Sequence, residues 1–91
     1  MGNMNQLFLD GKQRERLVSL LEEHVDDHGI AEVSRFIKPP KSSLRDTKEY
    51  LSSVLNEDGI IIDIFLAAYI CECLAINPDY IFKGGKPAYT N

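Results

Sequence analysis

Residues 60–85 read IIIDIFLAAYICECLAINPDYIFKGG and form the most apolar run of the chain; no residue between Ile64 and Cys71 is charged. Asp63 stands just before that run, where a carboxylate can accept a free backbone N–H of a first helical turn. Asn77-Pro78 stands at its end, because a proline cannot continue the hydrogen-bond ladder and pushes the residue before it out of the α region. The stretch therefore reads as a buried central helix of about three turns, with Phe65 in the core. A tight corner follows, then a short helical turn carrying Tyr80, Ile81 and Phe82, closed by Gly84-Gly85. The run is shorter than the roughly 20 residues that a membrane crossing needs, and it contains Asp63 and Glu72, so it is expected to be a core helix on which the rest of the chain packs.

Upstream, Asn56-Glu-Asp-Gly59 has turn chemistry. Ile60-Ile61-Ile62 is β-branched and is expected to be briefly extended, as a contact strip. A helix from about Ser43 to Leu55 buries Leu44, Leu51, Val54 and Leu55 and turns Arg45, Lys48, Ser52 and Ser53 to or beside the other face. Two starts fit: Ser43 caps Leu44 onward, or Asp46 and Glu49 form a capping box and 39–45 is loop. Before it, Ile30, Val33, Phe36 and Ile37 give a short helix one apolar face, which Pro39-Pro40 terminates. Residues 11–28 carry Leu17, Leu20, Leu21, His24, Val25 and His28 at spacings of three and four, an amphipathic helix opened by an Asp10–Gln13 capping box. Gly29 suits a left-handed cap at its end. Leu7-Phe8-Leu9 folds onto the core or lies against a partner. The tail KGGKPAYTN is expected to be loop, mobile at its end. The fold class is all-α: a compact five-helix domain, 1–91, with an arm (1–10), a helical body (11–83) and a tail (84–91).

The chain has 91 residues, 44% hydrophobic and 26% charged, a composition that fits one soluble globular domain. No basic segment or small-residue cleavage site follows Met1-Gly2, so no signal peptide is expected. Gln6 stands where a myristoylation motif needs Ser or Thr. Cys71 and Cys73 lie two apart on one helix and diverge, so they are expected to be reduced, in a cytoplasmic protein.

The formal net charge of −4 hides an uneven distribution. Glu22 to Glu32 holds five acids and no Lys or Arg; Glu49 to Asp79 holds six acids and again neither base. Between them, Val33 to Lys48 holds Arg35, Lys38, Lys41, Arg45 and Lys48 against Asp46 alone. A local basic patch of this kind is what a polyanion would meet.

Two helices joined by a turn can present the second one to the major groove of DNA, its N-terminal end nearest the bases. On that model Lys38, Lys41 and Lys48 anchor phosphates, Ser42 and Ser43 bond the DNA backbone, Ser52 extends the face, and Arg45 reads a guanine edge. Five bases in sixteen residues are equally what a solvated helix face carries. His24 and His28, at i and i+4, have a spacing that zinc ligands use, but the diverging cysteines and the lack of a Cys-x-x-Cys knuckle argue for a polar helix edge instead. No nucleophile or acid–base arrangement is recognisable, and Gly84-Gly85 follows a helix rather than opening one. No enzyme activity, cofactor, metal or small-molecule substrate is expected.

Leu74-Ala-Ile-Asn-Pro-Asp-Tyr-Ile-Phe-Lys-Gly-Gly85 resembles the end of the lambda-repressor-like (Xre or CI-type) helix-turn-helix domain. There a fourth helix ends in a leucine and a small residue, and an Asp-aromatic pair with two apolar residues leads into a glycine turn. Asp79-Tyr80-Ile81-Phe82 and Gly84 fit that order, and Asp63 with the apolar run looks like the fourth helix and its cap. The resemblance covers about residues 12–85 and is specific over 63–85. It implies a sequence-specific regulator of bacterial or phage transcription, a repressor that binds double-stranded DNA as a homodimer. The chain departs from the family between its second and third helices. Pro39 to Asp46 makes that connection longer, Ala31 stands in for the family's alanine, and Lys38-Pro39 replaces its glycine turn. The rival reading is a protein-interaction module, antirepressor- or antitoxin-like, using Leu7-Phe8-Leu9, Ile60-Ile61-Ile62 and Tyr89 as an apolar patch.

Overall fold

Asp10 and Gln13 open the first helix by exchanging hydrogen bonds. The Gln13 amide donates to Asp10 Oδ1 at 2.8 Å and the Asp10 amide to Gln13 Oε1 at 3.0 Å, which satisfies two backbone donors at once. The computed structural model describes residues 7–57 and 60–90. Its helices are α1 (Gly11–His28), α2 (Ile30–Ile37), α3 (Leu44–Asn56), α4 (Ile64–Leu74) and α5 (Pro78–Lys83). Among the described residues there is no strand, only two isolated antiparallel bridges, Phe8 to Asp63 and Ile76 to Tyr89. This is a small all-α domain. No helix of the described residues is long and apolar enough to cross a membrane. Met1 to Gln6, part of the turn expected at Asn56–Gly59, and Asn91 lie outside the described residues.

The chain divides into two units, Met1–Leu17 with Ile61–Asn91, and Val18–Ile60. In the first, Leu9 donates its amide to Ile62 O at 2.9 Å and Ile64 donates to Leu7 O at 3.0 Å. The triple isoleucine is thus extended beside the N-terminal segment, as its β-branching favours. Leu9 and Ile62 are buried while Leu7, Phe8 and Ile61 stay exposed. Asp63 then starts α4, its Oδ1 accepting from Phe65 N at 2.7 Å and Leu66 N at 3.1 Å. Ala67, Ile70, Cys71 and Leu74 are buried, an i, i+3, i+4, i+7 stripe.

Phe65 does not belong to that stripe. It is 72% exposed, so its expected place in the core is overturned: a helix starting at Ile64 puts position 65 on the outer face. The expected end of α4 also moves. Ala75 takes a left-handed conformation (φ 56°, ψ 36°) and closes the helix ahead of Asn77-Pro78. Asn77 instead caps α5, its side chain accepting from Asp79 N at 3.1 Å. Gly84 (φ 76°, ψ 13°) ends α5. A Cβ there would be strained and would also meet the Arg16 guanidinium at 3.3 Å. Arg16 donates to Ile81 O at 2.8 Å and Gln13 Nε2 to Phe82 O at 3.2 Å, so α1 supplies donors to the otherwise unsatisfied carbonyls of α5. The tail is loop over its described length, as expected, and hydrogen bonds tie it back to the α4–α5 corner. Asn77 N donates to Ala88 O at 2.8 Å and Thr90 N to Ala75 O at 2.9 Å.

The second unit holds α2, α3 and the rest of α1. Leu20, Leu21, Val33, Ile37, Leu51 and Val54 are buried there, and α2 packs on α3. Phe36, assigned from sequence to the buried face of α2, is 64% exposed. Ser34 takes an interior place instead, fully buried, and its hydroxyl has no hydrogen-bond partner among the described residues. Gly29 has the positive φ expected of it (87°), but at ψ 150° it is extended rather than left-handed helical and stands as the N-cap of α2.

Two outcomes are expected. Removing the unpaired Ser34 hydroxyl lifts a desolvation cost, so Ser34→Ala should raise the unfolding free energy by about 1 kcal/mol in urea titrations. Burial pushes the Cys71 thiol from 9.0 up to about 11. The folded state thus favours the protonated thiol, and the unfolded chain loses that proton first. The contribution is intact below pH 9 and is lost as pH rises toward 11. Urea unfolding across that range should show a steeper fall for the unaltered chain than for Cys71→Ala.

Candidate functional site

The residues singled out for DNA contact fall on the α2–α3 connection and the outer face of α3, all within Val18–Ile60. Lys38 leaves the helix in an extended conformation (φ −60°, ψ 121°), as a residue before proline must. Six residues, 38–43, separate α2 from α3, longer than the three or four that join a compact helix-turn-helix. Pro39 and Pro40 carry no N–H, so the loop is short of donors. Ser42 N closes a turn on Pro39 O at 3.1 Å. The Lys38 ammonium supplies more, donating to Ser42 O at 3.0 Å and Pro39 O at 3.4 Å. Lys38 thus braces its own loop, a role that its charge alone did not suggest. Lys41 takes a positive φ of 93° and is exposed.

Ser43, not Asp46, caps α3. Its Oγ accepts from Asp46 N at 3.0 Å, and its carbonyl accepts from Thr47 N at 3.1 Å and Thr47 Oγ1 at 3.0 Å. Asp46 therefore lies in the first turn, where a carboxylate is favoured by the helix dipole. Thr47, Leu51 and Val54 form the buried stripe of the helix.

On the outer face Arg45, Lys48, Glu49 and Ser52 follow at i, i+3, i+4 and i+7. Arg45 Nε lies 3.4 Å from Glu49 Oε2, with both side chains largely exposed. An ion pair this exposed contributes about 0–1 kcal/mol and is readily exchanged for another anion. Ser52 Oγ accepts from Asn56 Nδ2 at 3.2 Å. Leu44, Arg45, Lys48 and Glu49 line an open recess of about 400 Å³.

Lys41, Ser42, Ser43, Arg45 and Lys48 are thus brought to the loop and first turns of α3, Ser52 sits a turn beyond, and Lys38 is turned onto the loop. Leu44 and Glu49, absent from the sequence-based set, belong to the recess. The i, i+4 relation of Arg45 and Glu49 was the available signal for the second. Such a face can hold a phosphate or present one guanidinium to a planar acceptor, and its acids Asp46 and Glu49 oppose a dense polyanion. On α1, the His24 and His28 rings stack with centroids 6.2 Å apart. Among the described residues no three His, Cys, Asp or Glu side chains are grouped to hold a metal ion. Comparison with protein-family models, with curated proteins and with solved structures finds no match to the chain.

Lys41 separates stability from charge. Relieving its positive φ with glycine should raise the unfolding free energy by about 0.5–1 kcal/mol, net of glycine's greater unfolded-state entropy. Lys41→Ala should not, because alanine keeps the Cβ; urea titration of the two variants checks this.

Proposed function

We propose that the chain binds duplex DNA through α3 and the loop before it, as a sequence-specific transcriptional regulator of the lambda-repressor-like kind. The observation that carries this is the exposure of Lys41, Arg45 and Lys48 around the N-terminal end of α3, within the Val33–Lys48 stretch that holds five bases against one acid. Lys41 and Lys48 would meet phosphates on either side of the helix end. Ser42 offers a hydroxyl to the DNA backbone, and Ser43 keeps α3 capped. Arg45, released from Glu49, has the forked guanidinium that reads guanine O6 and N7. The order α2, connection, α3, then an Asp-capped α4 and a short α5 ending in Gly84, is in keeping with the family resemblance. The longer connection is a departure from it. Lys38, engaged with Ser42 and Pro39 carbonyls, would act by holding that connection rather than by touching DNA.

The rival class, a module that binds protein, is favoured by a separate observation. Leu7, Phe8, Ile61 and Phe65 are large apolar side chains left exposed in the other unit.

Fluorescence anisotropy with random-sequence and selected duplexes tests the proposal. Binding should weaken steeply with salt, with a log–log slope near −3 per chain if about three phosphates are neutralised. Arg45→Ala should cost about 1–3 kcal/mol on the selected sequence and flatten the preference among sequences, while Lys48→Ala should weaken all duplexes alike. Absence of binding at low salt would remove DNA as the ligand.

A further inference from the structure

His24 and His28 stand near the end of α1, one turn apart on one side of the helix. Their rings are stacked, with centroids 6.2 Å apart and planes 25° apart. His24 is half-buried and His28 is exposed. The pair continues the line of Leu17, Leu20 and Leu21, whose side chains are buried. Where that line leaves the core, apolar residues give way to imidazoles. The charge around them has one sign. Glu22, Glu23, Asp26 and Asp27 are exposed on the same turns, and no Lys or Arg occurs from residue 22 to 32. Asp27 lies three residues from His24, on the adjacent turn. The last carbonyls of α1 add the negative end of the helix dipole, which favours a cation.

We propose that His24 and His28 chelate one divalent transition-metal ion of the copper or zinc kind in an open, two-histidine site. Imidazole nitrogen suits Cu²⁺, Ni²⁺ and Zn²⁺, whereas Ca²⁺ and Mg²⁺ take oxygen. Two histidines at i and i+4 present their rings to one ion without any change in the helix backbone. Metal–nitrogen bonds of about 2.0–2.1 Å set the ring centroids of two imidazoles that share an ion about 5 Å apart. The separation of 6.2 Å exceeds that by roughly 1 Å, within reach of a small rotation of the exposed His28 side chain. Neither cysteine is needed. The lack of a Cys-x-x-Cys knuckle and of a third grouped ligand among the described residues excludes a closed structural site, not this one. Two nitrogens leave the other positions of the ion to water or to a donor from another molecule. The exposed carboxylates of α1 raise the local concentration of cations without themselves choosing a transition metal.

Calorimetric titration of the full chain with Zn²⁺, and separately with Cu²⁺, in a non-chelating buffer tests this. One ion should bind per chain with a dissociation constant on the order of micromolar, Cu²⁺ more tightly than Zn²⁺. His28→Ala should weaken both at least ~10-fold while leaving helix content and melting in place, since that side chain faces solvent. His24→Gln should weaken them equally. Cys73→Ser, at a half-buried thiol on α4, should leave binding unchanged. A chain that binds neither ion would overturn the proposal. So would full binding in His28→Ala, or binding lost in Cys73→Ser. Displacement of Zn²⁺ by equimolar Ca²⁺ would assign the ion to the carboxylates and overturn it as well. No DNA is present, so the outcome is independent of the anisotropy experiment.

Discussion

Asp63 is where an extended segment becomes a helix. Its backbone bridges Phe8, its carboxylate takes the Phe65 and Leu66 amides, and its carbonyl takes the Ala67 amide at 2.9 Å. These bonds fix the first residue of α4, and with it the rotational phase of every side chain that follows. Each residue advances about 100° around a helix, so a start one position later would turn a different set inward. From Ile64 the set is Ala67, Ile70, Cys71 and Leu74, and Phe65 is left outside. The outward place of Phe65, 72% exposed, is thus a consequence of the cap.

The same local chemistry explains which parts of the fold were legible. Asp10 with Gln13, Ser43, Asp63 and Asn77 are side chains that satisfy amides two or three residues away, and Gly84 accepts a conformation that few residues do. Such signals are written in adjacent residues, and most helix limits followed from them; the start of α3 stayed open between Ser43 and Asp46, and α4 ends at Ala75, ahead of Asn77-Pro78. Faces were harder. In residues 64–71 nearly every side chain is apolar, so no polar position marks the outer side, and Phe65 looked as interior as Ile70. In α2 the hydroxyl of Ser34 is interior and the ring of Phe36 is not, against the hydrophobicity of each. The tail was legible as loop, but not where it attaches. Thr90 and Ala88 bond to Ala75 and Asn77, a pairing across more than ten residues that leaves no periodic trace in a segment rich in Gly and Pro.

The basic stretch shows how far charge can be read without geometry. Its five bases were visible as a cluster, but not what each would do. Two consecutive prolines remove two backbone donors; Ser42 N serves the Pro39 carbonyl, and the Lys38 ammonium adds bonds to the carbonyls of Pro39 and Ser42. Lys38 is close enough in sequence to reach both, and its ammonium is drawn to them. Lys41, held at positive φ, is exposed. Equal formal charge thus separates into one structural lysine and exposed cations at Lys41 and Lys48. The candidate site is correspondingly smaller than the cluster.

That reduction bears on how such a face would hold DNA. Two exposed lysines and an arginine already paired to Glu49, with Asp46 beside them, give one copy few phosphate contacts, on a chain whose formal net charge is −4. At ionic strengths near 0.1 M the Debye length is about 10 Å, so distant acids are screened while Asp46 and Glu49 are not. Affinity from a single face of this kind would then be limited. A tethered second face binds at an effective concentration that can reach millimolar, and avidity can exceed a single contact by about 10²–10⁴. An acidic chain with a small basic face therefore has more to gain from pairing than a strongly basic one. Its hold on DNA, on the function proposed, would rest on Lys41, Arg45 and Lys48.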